Sequence, residues 1–317
     1  MISAFQKACP SLAGLFSSKG NTSPTEKKQP EPKQAASAAK PEPEPAAAPA
    51  WGPGASTAAE RAELEAQRAL NHFFEVAAER VSEIRKLFAQ VSGVPAGEAQ
   101  KAILGKLCCQ VRVLWGLCDK PALHTVGKIT KALERLLKQI SEQPSCLTPS
   151  TLRTTASSIV LLETLCKPGL QPDLASNPPP RFLTIDDDPV CRLAVSSALE
   201  QAFSTPDHAE HGEGALALVE KQPYDLIFLD VEMPGMNGFE VCAEIHRTTL
   251  NPTTPVVFVT IHSDFDSRAK ASEASGCDLI AKPFLSSELA LKALTILIRR
   301  RLQSQPAQTP VSTSAKR

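Results

Sequence analysis

The sequence contains no apolar run of the roughly 18 residues that a membrane-spanning helix needs, and its first residues lack the basic segment and apolar core of a secretory signal. Its formal net charge is zero, so we expect no general electrostatic attraction to nucleic acid. None of the nine cysteines forms a Cys-x-x-Cys pair, which favours free thiols over disulfides or a metal site. These absences predict a cytoplasmic protein without a membrane or nucleic-acid partner.

Composition divides the 317 residues into two predicted domains with flanking tails. Residues 1–58 are predicted to be a disordered tail that ends in a Pro-, Ala- and Glu-rich linker. Residues 59–168 carry apolar residues at helical spacing, and residues 181–302 alternate strand patterns with helix patterns. Residues 169–180 are a proline-rich linker, and residues 303–317 are a polar, disordered tail.

The first of these domains is predicted to be an antiparallel four-helix bundle, because short loops connect four amphipathic helices. The second helix is apolar on nearly every side, which is typical of the central helix of a bundle. Thr148 is suited to cap the fourth helix. The first helix ends before Gly93, and the other three cover about Gly97–Leu117, Ala122–Ser141 and Pro149–Leu165.

Two stretches of the bundle resemble a histidine phosphotransfer domain, a helical module that carries a phosphoryl group on a surface histidine. They are FFEVAAERVSEIRKLF and the segment from Gly116 to ALERLL at Ala132–Leu137. The family's acceptor motif is His-x-x-Lys-Gly, but this chain has Arg112 in the histidine position and Trp115 in the lysine position. A guanidinium stays protonated and cannot accept a phosphoryl group. We therefore expect a bundle that lacks the acceptor histidine and is kept for binding.

The second domain is predicted to be a parallel sheet with helices on both sides. The run Leu226–Leu229 is apolar, too short for a helix and followed by turn residues, as in a strand covered on both faces. The second strand is the weakest, because Pro206 and two histidines interrupt its pattern. The strands are predicted at Arg181–Ile185, Asp207–Glu210, Tyr224–Asp230, Val256–Thr260 and Leu279–Ala281, and the helices at Val190–Phe203, Glu213–Lys221, Phe239–Thr248, Phe265–Ser275 and Ser287–Arg301.

Polar residues follow four of these strands, at the edge of the sheet where ligands bind in open α/β folds. They are Asp186-Asp187-Asp188, Asp230, Thr260 and Lys282-Pro283. Carboxylates gathered at one edge repel each other unless a cation joins them, and hard oxygen ligands of this kind suit Mg²⁺. A carboxylate nucleophile can take a phosphoryl group, while a lysine and a threonine hydroxyl contact the phosphoryl oxygens.

The motifs IDDDP, DLIFLDVEMPGMNG, VVFVT and AKPF, in this order, resemble a response-regulator receiver domain of two-component signalling. The resemblance implies a flavodoxin-like sheet of five strands in which Asp230 is the phosphoacceptor. It also implies that Asp186 and Asp187 form the acidic pair, with Asp187 the direct Mg²⁺ ligand. The backbone carbonyl of Glu232 is then the remaining protein ligand.

The same resemblance implies that Thr260 and Lys282 contact the phosphoryl group and that the bond before Pro283 is cis, a form accessible to proline. Leu279 stands where the family usually has an aromatic switch residue, three positions before the lysine. We expect a switch region around Thr260 and Leu279 whose readout does not use a rotating ring.

The leading functional hypothesis is a Mg²⁺-dependent signalling switch rather than an enzyme with its own substrate. A histidine kinase or phosphotransfer protein would phosphorylate Asp230, and the signal would pass by protein contact to an unidentified downstream partner. A homodimer through the receiver is also predicted. The alternatives are a scaffold in which phosphorylation is incidental, a phosphorelay carrier that uses His72 or His124, and a hydrolase with a nucleophilic aspartate.

Overall fold

The computed structural model of the chain describes residues 58–168, 179–261 and 278–304. The predicted tails and most of the linker at 169–180 lie outside these ranges, as does the helix predicted at Phe265–Ser275. From Ala66 onwards the described residues belong to one compact unit, and the described residues 58–65 belong to another. Among the described helices, none combines the length and the apolar content that crossing a membrane requires.

Within residues 58–168, four α-helices precede the sheet, as the apolar spacing predicts. Their boundaries agree with the predicted ones to within about two residues, because glycine, proline and capping residues mark the ends locally. At the start of the fourth helix, the Thr148 hydroxyl accepts a hydrogen bond from the Thr151 backbone amide at 3.2 Å. The helices are α1 (Ala58–Val91), α2 (Glu98–Gly116), α3 (His124–Glu142) and α4 (Pro149–Leu165).

The prediction that the second helix is central to the bundle is wrong. Helix α2 buries one stripe, which includes Leu107 and Leu114, but Val113 and Trp115 are each 43 % exposed on its other side. Apolar residues at adjacent positions point in different directions around a helix, so a high apolar content does not show that every side is covered. Helix α2 is therefore an ordinary amphipathic helix with one face open to solvent.

The predicted parallel sheet of five strands is confirmed, with the strand order β2-β1-β3-β4-β5 and parallel pairing throughout. Its strands are β1 (Phe182–Ile185), β2 (Asp207–Ala209), β3 (Leu226–Asp230), β4 (Val256–Thr260) and β5 (Asp278–Ala281). The described helices are α5 (Pro189–Glu200), α6 (Gly212–Val219), α7 (Gly238–Arg247) and α8 (Ser286–Ser304).

Alternation along the strands divides their side chains between two layers. One set, which includes Ile185, Leu229 and Phe258, forms a core with α6 and α7. Helices α5 and α8 contact each other beside the strands, α5 along β1 and α8 along β3. Strands β1, β3 and β4 are buried along their whole length, which explains why they appear in the sequence as unbroken apolar runs.

Helix α8 also packs against α3 and α4 of the bundle. Four apolar residues in or just before α8 belong to the same hydrophobic core as the bundle helices. They are Leu285, Leu291, Leu294 and Ile298. The predicted bundle and the predicted sheet domain therefore share a core through the last helix.

The turn after β3 brings the start of α7 very close to the end of the strand. The Gly238 backbone amide donates to the Val231 carbonyl at 2.9 Å. A Cβ atom on Gly238 would lie 2.2 Å from the Asp230 carbonyl oxygen and 2.9 Å from the Val231 Cα. Both neighbours are backbone atoms, so a side chain could be accommodated only if the end of β3 moved.

Replacing Gly238 by Ala is therefore expected to lower the free energy of unfolding by about 3 kcal/mol, at the upper end of the usual cost of overpacking. Gly105→Ala is the matched control, because a Cβ at this exposed position in α2 meets nothing within 4 Å. The control is expected to stabilise the protein by about 0.5–1 kcal/mol through helix propensity. Urea denaturation measures both changes, and equal stabilities for the two variants would contradict the close approach.

Candidate functional site

The strand ends bring the predicted site residues to one edge of the sheet. Asp186 follows β1, Asp230 is the last residue of β3, Thr260 is the last residue of β4, and Lys282 follows β5. Because β1, β3, β4 and β5 are adjacent and parallel, their carboxyl ends lie side by side. Residues that are up to about a hundred positions apart in the chain thus share one site.

Three carboxylates form a cluster at this edge. One oxygen from each of Asp186, Asp187 and Asp230 lies within 4.8 Å of the others. Asp186 is 2 % exposed and Asp230 is 7 % exposed, whereas Asp187 is open to solvent. The cluster is thus anchored in the protein by two residues and reaches the surface through the third.

Lys282 places a positive charge between the two buried carboxylates. Its Nζ atom donates to Asp186 Oδ2 at 2.8 Å and to Asp230 Oδ2 at 2.7 Å. All three side chains are less than 10 % exposed, so solvent screens these ion pairs weakly. The lysine therefore joins the β1 and β3 ends of the sheet to the β5 end.

Burial and charge act in opposite directions on these groups. Burial raises the pKa of Asp186 to about 6, although the charge of Lys282 lowers it, and the nearby Asp230 adds to the increase. Burial alone would lower the pKa of Lys282, but the carboxylates of Asp186 and Asp230 raise it above its usual range. The lysine is therefore held in its charged form.

The loop after β1 is fixed by contacts that orient its carboxylates. Asp188 caps α5, with its Oδ1 atom accepting from the Val190 amide at 2.8 Å. Asp186 Oδ1 accepts from the Asp188 amide at 3.0 Å. Arg192 donates to the backbone carbonyls of Asp186 at 2.6 Å and Asp187 at 3.1 Å. The third aspartate of the sequence triplet thus has a capping role.

The remaining predicted residues lie around the cluster. Thr260 is fully buried, and its backbone carbonyl accepts from the Lys282 amide at 2.7 Å. Glu232 is exposed, and its amide donates to Asp230 Oδ1 at 3.3 Å. Leu279 is buried in the core with α6 and α7, and the bond between Lys282 and Pro283 is cis.

Arg112, at the position that the predicted resemblance assigns to the phosphotransfer acceptor, forms an ion pair. Arg112 donates to Glu134 Oε1 at 2.7 Å, and both side chains lie on the surface formed by α2 and α3. The two alternative histidines, His72 and His124, are both exposed. The structure brings none of these residues to the acidic cluster.

The donor set at the sheet edge is suited to a hard divalent cation. Carboxylate oxygens are the ligands that Mg²⁺ prefers, and it usually keeps several of its waters, which the open side at Asp187 accommodates. Asp186, Asp187 and Asp230 fit this requirement. The motif order alone predicted these residues, but not Arg192, whose role depends on the folded path of the loop.

Comparison with known proteins agrees with this geometry. Residues 182–294 match the family model of the response regulator receiver domain. The transcriptional regulatory protein BaeR of Escherichia coli is 34 % identical over 136 residues, which cover 42 % of this chain and 55 % of BaeR. The signal transduction histidine-protein kinase BarA of Escherichia coli is 30 % identical over 107 residues, which cover 34 % of this chain and 12 % of BarA.

A solved structure of the response regulator TrrA from Thermotoga maritima, in complex with Mg²⁺ and BeF, is 32 % identical to this chain. The match covers 37 % of this chain and 99 % of TrrA, with a TM-score of 0.34. The chain spans about half the length of the transcriptional regulators that it matches. Residues 182–294 form a response regulator receiver domain.

Proposed function

We propose that this chain is a two-component signalling protein that accepts a phosphoryl group on Asp230. The observation that carries the proposal is the cluster of three carboxylates joined to Lys282 at the carboxyl edge of the sheet. The donor is a histidine kinase or a histidine phosphotransfer protein. The signal then passes to a downstream protein by direct contact.

The chemical step is a displacement at phosphorus. An oxygen of Asp230 attacks the phosphorus of a phosphohistidine, the new P–O bond forms as the P–N bond breaks, and the imidazole nitrogen leaves with the electron pair. Lys282 Nζ, already 2.7 Å from Asp230 Oδ2, places its charge beside the incoming phosphoryl oxygens. The Thr260 hydroxyl is proposed to donate to another of these oxygens.

The acidic residues are proposed to hold the metal ion during this step. When bound, Mg²⁺ supplies positive charge that offsets the repulsion between the carboxylates and the phosphoryl group. Asp186, Asp187 and Asp230 would hold it, with the backbone carbonyl of Glu232 as a further ligand. The domain catalyses its own phosphorylation and the slow hydrolysis of the aspartyl phosphate, so it needs no separate substrate site.

Incubation of the chain with acetyl phosphate and Mg²⁺ is expected to add one phosphoryl group, because a small donor bypasses the partner kinase. Asp230→Asn is expected to abolish the addition, since an amide cannot replace the nucleophilic carboxylate. Intact-protein mass spectrometry measures the product, and tandem spectra of its peptides locate it.

Asp188→Asn is the matched control, because asparagine also caps a helix and position 188 is outside the three-carboxylate cluster. It is expected to retain labelling. Labelling that persists in Asp230→Asn would overturn the assignment of the acceptor, and a label on His72 or His124 would favour a relay carrier. No labelling of the parent chain would favour a scaffold.

Replacing Lys282 by Met is expected to lower the free energy of unfolding in EDTA by about 3 kcal/mol, because two buried carboxylates lose their cation. Mg²⁺ is expected to recover much of this loss, since a ligand that binds only the folded state stabilises it. Urea denaturation in EDTA and in Mg²⁺ measures both effects.

Lys221→Met serves as the control, because Lys221 is an exposed lysine just after α6. Its effect is expected to stay within about 0.5 kcal/mol under both conditions. If Lys282→Met lost the same stability with and without Mg²⁺, the proposed metal site would be contradicted.

A further inference from the structure

Arg192 connects two of the loops at the acidic edge of the sheet. It lies in the first turn of α5, and its Nη1 atom donates to the Asp186 carbonyl at 2.6 Å and to the Asp187 carbonyl at 3.1 Å. Its Nη2 atom donates to Glu210 Oε1, in the loop after β2, at 2.7 Å. One guanidinium therefore holds the backbone between β1 and α5 and also reaches the neighbouring loop.

The backbone contacts and the ion pair of Arg192 differ in their exposure to solvent. The side chain of Arg192 is 13 % exposed, whereas that of Glu210 is 66 % exposed. Water and salt screen an ion pair at an exposed carboxylate, so this pair contributes little to holding the loop. Hydrogen bonds from a charged donor are stronger than those between neutral groups. The bonds to the two carbonyls are therefore the contacts of Arg192 that fix the loop after β1.

Two of the three aspartates in this loop are fixed by their own side chains. Asp186 has both carboxylate oxygens bonded, one to the Asp188 amide and one to Lys282 Nζ. The Asp186 amide also donates to the Ala209 carbonyl at 3.3 Å. Asp188 caps α5 through its carboxylate. Replacement of Arg192 would leave all of these contacts in place.

Asp187 has no such side-chain anchor among the described residues. Its side chain is open to solvent, and the bond from Arg192 to its carbonyl is the one hydrogen bond that it makes within the described part of the chain. A carboxylate oxygen of Asp187 nevertheless lies within 4.8 Å of oxygens of Asp186 and Asp230. The position of this third carboxylate thus depends on how Arg192 holds the backbone that carries it.

We propose that Arg192 is a positioning residue for the divalent cation, because it fixes the backbone from which Asp187 contributes its carboxylate to the acidic cluster. The inference rests on the proposed function, in which this cluster holds Mg²⁺. Arg192 bonds backbone carbonyls and an outer carboxylate, so it acts through Asp187 and not by contact with the ion. Replacing a group that orients a metal ligand in this way typically lowers metal affinity by about 10- to 100-fold.

The direction of the change in affinity distinguishes positioning from simple electrostatics. Arg192 carries a positive charge beside the loop that supplies two of the three carboxylates, and its repulsion of a divalent cation weakens binding. Removal of the charge alone would therefore tighten Mg²⁺ binding. Loss of a positioning group has the opposite effect, because Asp187 must then be ordered when the cation binds.

Arg192→Met is expected to weaken Mg²⁺ binding by at least about tenfold, as measured by isothermal titration calorimetry. The rate of labelling by acetyl phosphate, measured against Mg²⁺ concentration, is expected to show the same increase in the half-saturating concentration and an unchanged plateau. A saturating cation orders Asp187 in the variant as well, so the step at Asp230 is preserved. A loss of folding stability alone would not produce this division between affinity and plateau rate.

Glu210→Gln is the matched control, because it removes the charge at the exposed end of the ion pair and leaves both carbonyl contacts of Arg192 in place. Its Mg²⁺ affinity is expected to stay within about twofold of the parent value. Arg192→Lys keeps the charge on a shorter side chain without the planar fork, and it is expected to weaken Mg²⁺ binding by about threefold or more. This second variant carries the test if urea denaturation shows that Arg192→Met does not fold.

The outcomes separate this inference from the proposed function. If the parent chain binds Mg²⁺ and is labelled, while the Arg192 variants bind Mg²⁺ as tightly as the parent or more tightly, the positioning role is overturned and the role of Asp230 stands. A lower plateau rate without a change in affinity, or an equal loss of affinity in Glu210→Gln, would also overturn the positioning role. A parent chain that neither binds Mg²⁺ nor is labelled would overturn the proposed function and, with it, the inference.

Discussion

The structure depends on one ion-pair arrangement, in which Lys282 lies between the buried carboxylates of Asp186 and Asp230. Three strands meet at this point, and each contributes a charge that would be costly to bury alone. The lysine reduces this cost but does not remove it, since the pKa of Asp186 is still raised to about 6 by burial. Three carboxylates share one lysine at this edge, so a bound cation would offset the repulsion that remains between them.

The same lysine lies beside the contact between the sheet and the bundle. Helix α8 packs against α5 of the sheet domain and against α3 and α4 of the bundle. A homodimer that used the outer side of α8 or β5 would have to displace the bundle at the described contacts. The predicted resemblance to a phosphotransfer domain puts Arg112 in the acceptor position, and this residue forms an ion pair with Glu134 on the surface of the bundle.

Patterns of a few adjacent residues account for the parts of the fold that the sequence predicts. Buried strands such as Leu226–Asp230 are marked by short apolar runs, and helix ends by residues such as Thr148 and Asn237, which cap α4 and α7 through their own side chains. The acidic cluster is predictable because its residues follow strands, and parallel strands end at one edge. In each case the signal is contained within a few adjacent residues.

Long-range contacts explain what the sequence does not predict. Ser150 and Glu288 are 138 positions apart and form a buried hydrogen bond that no local pattern marks. The polar side chains of α4 are typical of an exposed helix face, yet Thr154 and Ser158 are almost fully buried against α8. The position of α2 was predicted wrongly for a related reason, because apolar content alone does not identify the face that a neighbour covers.

A crystal structure of the chain with Mg²⁺ and beryllofluoride is the sharpest test of Asp230 as the phosphoacceptor. Beryllium is expected to bond to a carboxylate oxygen of Asp230, with Lys282 Nζ within hydrogen-bonding distance of a fluorine and the cation held by Asp186 and Asp187. Beryllofluoride bound elsewhere, or Lys282 still joined to Asp186 with no contact to the fluorines, would rule out this role.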